Sequence, residues 1–474
     1  MPSGWKLESL GKLSSAIQYG YTAKAQPEPV GPRLLRITDI QNDAVKWDAV
    51  PFCKIKKEEK QKYLLASNDI LFARTGATVG KSYLIRDPVP DSVFASYLIR
   101  VRLTGEVAPK YIAYFFKSID YWRQITERQA GIGQPNVNGT KLAQIEIPVA
   151  PTHQQQLIVA EIEKQFSRLD EAAANLKRIK ANLKHYKAAV LKAAVEGKLT
   201  EDWRKQHPDV EPASKLLERI LAERRAKWRG RGKYKEPTYP ETLNLPFLPQ
   251  DWGWASPEQL SSAEAYSFAI GPFGSNLKVS DYTDTGVPLI FVRNIRSLNF
   301  GDKGRVFVSE TKAAELKAHK VSGGDVLVTK MGAPPGDVCL YPECAPEAII
   351  TADCIKLRLS QLIPEKRFIV HALNSEVVKM QILAITKGVA QMKVSLARFG
   401  GIGIPLPPCA EQDQITSEVE RRLSIIDELE AAVEGNLIRA DRLRQSILSQ
   451  AFSGRLLMQL PLNISNTVHT QALR

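Results

Sequence analysis

The sequence predicts an α+β protein: two mixed α/β globular domains separated by two long helices that form an antiparallel coiled coil, with a pseudo-twofold internal repeat. Three observations predict it. Residues Glu161 to Leu199 run without proline, carry apolar residues at alternating steps of three and four, and reach Gly197 where a left-handed helix cap belongs. Residues Glu418 to Leu456 repeat that stretch at a constant shift of 257 positions, with Gly454 in the place of Gly197. The segments in front of the two helices also share a strand skeleton, which points to duplication of one unit.

Each helix reads as a heptad seam, narrower than the apolar stripe of a helix lying on a globular core. On the first the seam is Leu169, Ala172, Leu176, Ile179, Leu183, Tyr186, Val190 and Ala193. On the second it is Ile426, Leu429, Val433, Asn436, Ala440, Leu443, Ile447 and Gln450, with Asn436 as the polar position that would fix register. A helix of about 40 residues spans roughly 60 Å, too long for one small domain, so it needs a partner along its length. The second copy supplies one.

In chain order, residues 1–151 form the first domain. Arg33–Ile40, Asn68–Arg74, Lys81–Arg86 and Ser96–Leu103 read as strands from their β-branched and aromatic content, and Pro109 to Gln129 as one helix with proline in its first turn. A glycine-rich loop and a closing strand, QIEIPVAP, end the domain. Residues 152–199 hold the first long helix, and residues 200–251 a basic linker with a short helix. Arg224, Arg225, Lys227, Arg229, Arg231 and Lys233 of that linker suit either solvent or phosphate. Residues 252–408 repeat the first domain: PLIFVRNI matches RLLRITDI, VSGGDVLVTKMG matches LASNDILFARTG, and GIPLPP matches EIPVAP. The second long helix takes 409–456 and a tail 457–474. Likeness sits in the strands and fades in the loops, so the copies face different targets.

A formal net charge of +14 over 474 residues favours polyanionic partners, nucleic acid above all. The five cysteines include no CxxC pair and the six histidines are scattered, which implies reduced thiols, no metal centre and a cytoplasmic setting. No apolar run is long enough for a membrane span and the start has no signal-peptide core. GATVGKS (Gly76–Ser82) resembles a phosphate-binding loop, but its glycine spacing is one short and a strand-like YLIRD follows where a helix should begin. A nucleotide-using enzyme is therefore the weaker alternative. The [DNS]PP[YF] motif of amino-group DNA methyltransferases is absent from the sequence, and no catalytic residues are expected.

DNA reading uses these residues better. Lysine and arginine neutralise phosphate, arginine forks onto guanine, and asparagine or glutamine brackets adenine. In the first domain the candidates are Tyr19, Tyr21, Lys24, Arg36, Arg74, Lys81, Gln134, Asn136 and Lys141; in the second they are Lys278, Arg293, Asn294, Lys330, Lys387, Gln391 and Lys393.

Two duplicated stretches carry a family resemblance: IPVAPTHQQQLIVAEIEKQFSRLD (Ile147–Asp170) and IPLPPCAEQDQITSEVERRLSIID (Ile404–Asp427), with the helix ends LKAAVEGKL and LSQAFSGRL. With the turns LASNDILFARTG and SGGDVLVTKMG, the chain resembles the specificity (S) subunit of type I restriction-modification systems, the HsdS family, over nearly its whole length. The resemblance implies a subunit without catalysis, whose two target recognition domains each read half of a split site in double-stranded DNA. Two modification (methyltransferase) subunits would dock around the helices, bringing S-adenosylmethionine and adenine-N6 chemistry. Restriction subunits would bring ATP, Mg2+, translocation and cleavage. The recognition subunit of a type IIB-like system is the near alternative. One departure from the family pattern is Thr152-His153-Gln154-Gln155, where the second copy keeps Ala410-Glu411-Gln412; only a changed helix entry is expected from it.

Overall fold

The computed structural model describes residues 1–128, 136–228, 233–301, 304–388 and 392–458. The chain divides into two compact units, Met1–Arg178 with Val433–Arg474, and Ile179–Ala432. Each unit thus combines one globular domain with parts of both long helices, whereas the sequence suggests consecutive blocks.

In the first unit a four-stranded antiparallel sheet runs in the order Ser14–Tyr19, Leu98–Leu103, Ile70–Ala73, Ser82–Leu84. Arg33–Leu35 pairs in parallel with Ser92–Phe94. RLLRITDI is strand at Arg33–Leu35 and again from Ile40, because between them Asp39 closes a 3-10 turn by accepting the Arg36 amide at 2.8 Å. Lys6–Ser9 pairs with Glu146–Val149 and ties the start of the chain to the entry of the first long helix. The segment expected as one helix from Pro109 to Gln129 is two, Pro109–Phe115 and Ile119–Arg128. Buried Ser118 lies between them, its hydroxyl accepting the Tyr121 amide. The core joins Tyr111, Phe115, Phe116 and Tyr121 to Ile158 and Ile162 of the first long helix and to Ile447, Leu448, Ala451 and Phe452 of the second.

The second unit has the same plan. Its four-stranded antiparallel sheet runs Phe268–Ile270, Cys354–Leu357, Val326–Thr329, Val338–Leu340. Val287–Ile290 pairs in parallel with Ala348–Ile350, and Gly253–Ala255 pairs with Ile404–Leu406. Helices Lys366–Asn374 and Glu376–Ala384 break at Ser375, as their counterparts do at Ser118. The linker helix, Ala213–Ala226, buries Leu216 and Ile220, and Arg224 donates to the Ser261 and Ser262 carbonyls. Arg225 and Lys227 pair with Glu236 and Glu223, Lys233 is exposed, and Arg229 and Arg231 lie outside the described residues.

The long helices span Thr152–Val195 and Cys409–Phe452, each starting nine residues before Glu161 and Glu418. Prolines 151 and 408 directly precede them, where a missing amide is tolerated. Gly197 and Gly454 follow with φ of 70° and 76°, the left-handed cap.

The packing corrects half of the expected seam. One heptad row is covered: Val433, Ala440 and Ile447 are buried in the first unit, with Leu169 and Leu176 half-buried; Leu183, Val190 and Ile426 are buried in the second. The other row turns outward, with Ile179 46% exposed, Tyr186 49%, Leu429 48% and Leu443 43%. Ala172 and Asn436 are exposed beside them, so Asn436 is no buried register device. The inward row lies one residue further on, at Phe166, Ala173, Lys187 and Ala194, and at Glu430, Leu437, Arg444 and Ala451. The stems of Lys187 and Arg444 lie in this half-buried row while their charged ends pair with Asp427 and Asp170. Within each unit the pairing is antiparallel. In the second, for example, Lys187 meets Asp427 while Thr200, just past the first helix, meets Glu411 near the start of the other.

Glu411 also exceeds what the sequence suggests. It is buried and accepts hydrogen bonds from Thr200, Arg204 and the Trp252 indole. Its counterpart Gln154, in the first unit, accepts the Trp5 indole at 2.9 Å. Glu411 therefore anchors the linker in the second unit, a role beyond the changed helix entry expected from the sequence.

Candidate nucleic-acid interface

The central sheets are locked by a shared set of charges. In the first unit Asp69 is buried, accepts the Ala66 amide, and takes a fork from Arg102 at 2.7 and 3.2 Å. Arg100, on the neighbouring position of that face and only 2% exposed, donates to the Leu64 and Lys62 carbonyls and to Gln18. In the second unit Asp325, Arg358 and Lys356 repeat the arrangement: Arg358 forks onto Asp325 at 2.8 Å twice, and Lys356 donates to the Lys320 carbonyl at 2.6 Å. The two copies carry these charges at matching places in the sequence, 256 residues apart, but counting exposed cations passes over those that are buried.

The lock holds the strand ends from which candidate readers project. Arg74 follows the Ile70–Ala73 strand, and its guanidinium carbon lies 4.8 Å from the centre of the Tyr19 ring. The Tyr19 hydroxyl accepts the Gly139 amide at 2.8 Å, and Thr75 bridges to Asn136. Three candidates, Tyr19, Arg74 and Asn136, thus converge at one end of the sheet. The second unit mirrors them: Lys330 lies 5.1 Å from the Phe273 ring centre, Met331 bridges to Lys393, and Lys393 to Lys387. Lys387 and Lys393 are exposed.

The other candidates scatter. Lys24, Lys81 and Lys278 are exposed. Lys141 gives its ammonium to the Arg128 carbonyl, and Tyr21 packs on Tyr63 with ring centres 5.2 Å apart. Arg36 is forked onto Asp39, and Arg293 donates to the Gly304 carbonyl while covering Phe291. Asn294 is buried; its side chain closes the same 3-10 turn as Asp39, accepting the Phe291 amide and donating to the Gly301 carbonyl. It is a turn residue in this structure, not a surface reader. Gln134 and Gln391 lie outside the described residues. A basic stretch missing from the candidate set surrounds the helix Lys57–Tyr63, where Lys54, Lys56, Lys57 and Lys62 are exposed; its charge run was visible in the sequence.

The GATVGKS stretch forms a 3-10 turn at Gly76–Thr78 and then the Ser82–Leu84 strand, so the helix a phosphate-binding loop requires does not follow it. Cys339 and Cys354 are buried within the second unit, and burial pushes both thiols up to about 12. Among the described residues no helix is long and apolar enough to cross a membrane.

Comparison with known proteins gives one answer. The chain is 25% identical to the EcoKI type I restriction enzyme specificity subunit of Escherichia coli (strain K12), over 97% of this chain and 90% of that one. It is 24% identical to the StySPI specificity subunit of Salmonella potsdam, with the same coverage. Among solved structures, one described as the structural basis of complex assembly and conformational transition of the type I R-M system has a TM-score of 0.65 at 17% identity, covering 96% of this chain and 99% of that chain. The HsdS subunit from Thermoanaerobacter tengcongensis has a TM-score of 0.50 at 18% identity, covering 96% and 98%. The family model for the type I restriction modification DNA specificity domain matches twice, at residues 33–185 and 281–434, and the chain belongs to that family as a type I restriction-modification specificity subunit.

Proposed function

We propose that each recognition domain reads one half of a split site in double-stranded DNA, and that the long helices set the gap between the halves. The observation that carries this is the repeated strand end, with Arg74 on Tyr19 in one copy and Lys330 on Phe273 in the other, on a common frame but with different loops. Exposed Lys54, Lys56, Lys57 and Lys62, with Lys24 and Lys81, suit phosphate contacts in the first domain; Lys278, Lys387 and Lys393 do so in the second. The outward row of Ile179, Tyr186, Leu429 and Leu443, with exposed Arg168, Lys177 and Lys184, suits docking of two modification subunits. Those subunits would carry S-adenosylmethionine and methylate adenine N6, restriction subunits would use ATP and Mg2+ to translocate and cut, and the assembly would work in the cytoplasm. This chain supplies recognition.

Domain exchange tests the reading. Replacing residues 1–151 by the matching domain of a relative, and mapping methylated adenines made by the assembled complex, should change one half-site and leave the other half and the spacer intact. Change in both halves overturns it. Adding one helical turn to both long helices, about 6 Å of rise, should lengthen the spacer with both half-sites kept.

A further inference from the structure

Arginines in the first domain are almost all spoken for. Between residues 1 and 128, Arg33 donates to Val50, Arg36 to Asp39, Arg86 to Asp43, Arg100 to Leu64, Arg102 to Asp69, Arg123 to Asp120 and Arg128 to Gln124. Arg74 is the exception: among the described residues its guanidinium makes no hydrogen bond or ion pair, and its Nε is buried without an acceptor. Across the Thr75–Asn136 bridge, Asn136 Oδ1 is buried without a donor. Folded proteins seldom leave a buried donor or acceptor unpaired, and both atoms belong to the strand end where Arg74 meets Tyr19.

The rest of Arg74 is fixed. Its amide donates to the Tyr97 carbonyl at 3.2 Å and its carbonyl accepts the Val137 amide at 3.0 Å. The Tyr19 ring supports the guanidinium plane and is itself held through its hydroxyl. A guanidinium oriented this way keeps its two terminal nitrogens parallel and loses little freedom on binding. Two parallel donors match the O6 and N7 acceptors of guanine in the major groove, which no other base presents together. Lys330, in the same place of the second copy, is a single ammonium already within 3.3 Å of the Ala352 carbonyl and has no such fork.

We infer that Arg74, held on Tyr19, reads a guanine in the half-site of the first domain, and that Lys330 does not read its half-site in this way. The inference rests on the half-site reading above. It is tested on the complex of the full chain with its modification subunits, by sequencing duplexes selected from a library randomised over the site. The unaltered complex should require G·C at one pair of the first half-site. Arg74→Lys, which keeps the charge, and Arg74→Ala should each lower that preference by about tenfold to a hundredfold. Every other position and the second half-site should stay unchanged. Tyr19→Phe, which keeps the ring and loses the hydroxyl bond, should give a smaller loss at the same pair. Full preference retained by Arg74→Lys overturns the inference, as does an equal loss of affinity on all duplexes, which marks a phosphate contact. If the unaltered complex selects no split site, the half-site reading itself fails, which is a separate outcome.

Discussion

Arg100 in the first domain and Lys356 in the second fill the same slot, beside the same aspartate and against backbone carbonyls, yet they respond differently to solution conditions. Burial lowers both, but an arginine starts so high that it stays charged, whereas Lys356 is brought down to about 8. A second contrast lies on the helix that packs against the sheet. At the place of Tyr114 the second copy has His371, which is buried with neither ring nitrogen partnered and is lowered by that burial to about 4. Duplication has kept the geometry and let the titration chemistry diverge, so the second domain alone answers to pH through these two positions.

The largest effect should come from breaking what the copies share. Asp69→Asn leaves buried Arg100 and half-buried Arg102, and Asp325→Asn leaves buried Lys356 and half-buried Arg358, beside a neutral amide; roughly 3–5 kcal/mol should be lost from the unit concerned, read as a lower urea midpoint. If either change is neutral, the lock is not a structural element. The contrast itself is next. His371 is neutral in the fold while its ordinary value is 6.5, so the unfolded chain takes up the proton first as pH falls. The second unit should then lose about 3 kcal/mol between pH 6.5 and 4, and His371→Tyr should flatten that slope. Lys356 works at the other end: above about 8 the folded state releases a proton that the unfolded chain keeps to 10.5. Stability should rise through that window by about 3 kcal/mol, and Lys356→Arg should abolish the rise. Smallest is the difference between the helix rows. Leu183→Ala should cost about 2 kcal/mol, while Tyr186→Ala should shift stability by less than about 0.5 kcal/mol and instead reduce co-purification of modification subunits.

How far the sequence could be read depended on range. The duplication, both glycine caps and the α+β class were legible because they repeat at a fixed shift and obey local rules. The second heptad row was misplaced because Ile179, Tyr186 and Leu429 outscore Ala173, Lys187 and Arg444 on hydrophobicity. Folding instead turns inward small alanines and long stems that keep their charge in water. Ser118 and Ser375 do not stand out as helix starts because helix-compatible sequence without proline runs through both. At the interface, residue type alone could not separate Arg74 from seven arginines with partners, nor Asn294, which closes a turn, from an amide free to reach a base. That sorting depends on contacts between residues far apart in the chain.

The first unit is closed by residues that lie far apart in the chain. Pro2 lies against Gly454, and Phe452 meets Tyr111 and Phe115 with ring centres 5.1 and 5.2 Å apart. During synthesis, therefore, the amino-terminal domain leaves the ribosome with an open apolar face that the helix carrying Phe452 fills more than 300 residues later. A frameshift late in the gene, beyond every residue of either recognition domain, would still leave the earliest-made part of the protein unfinished.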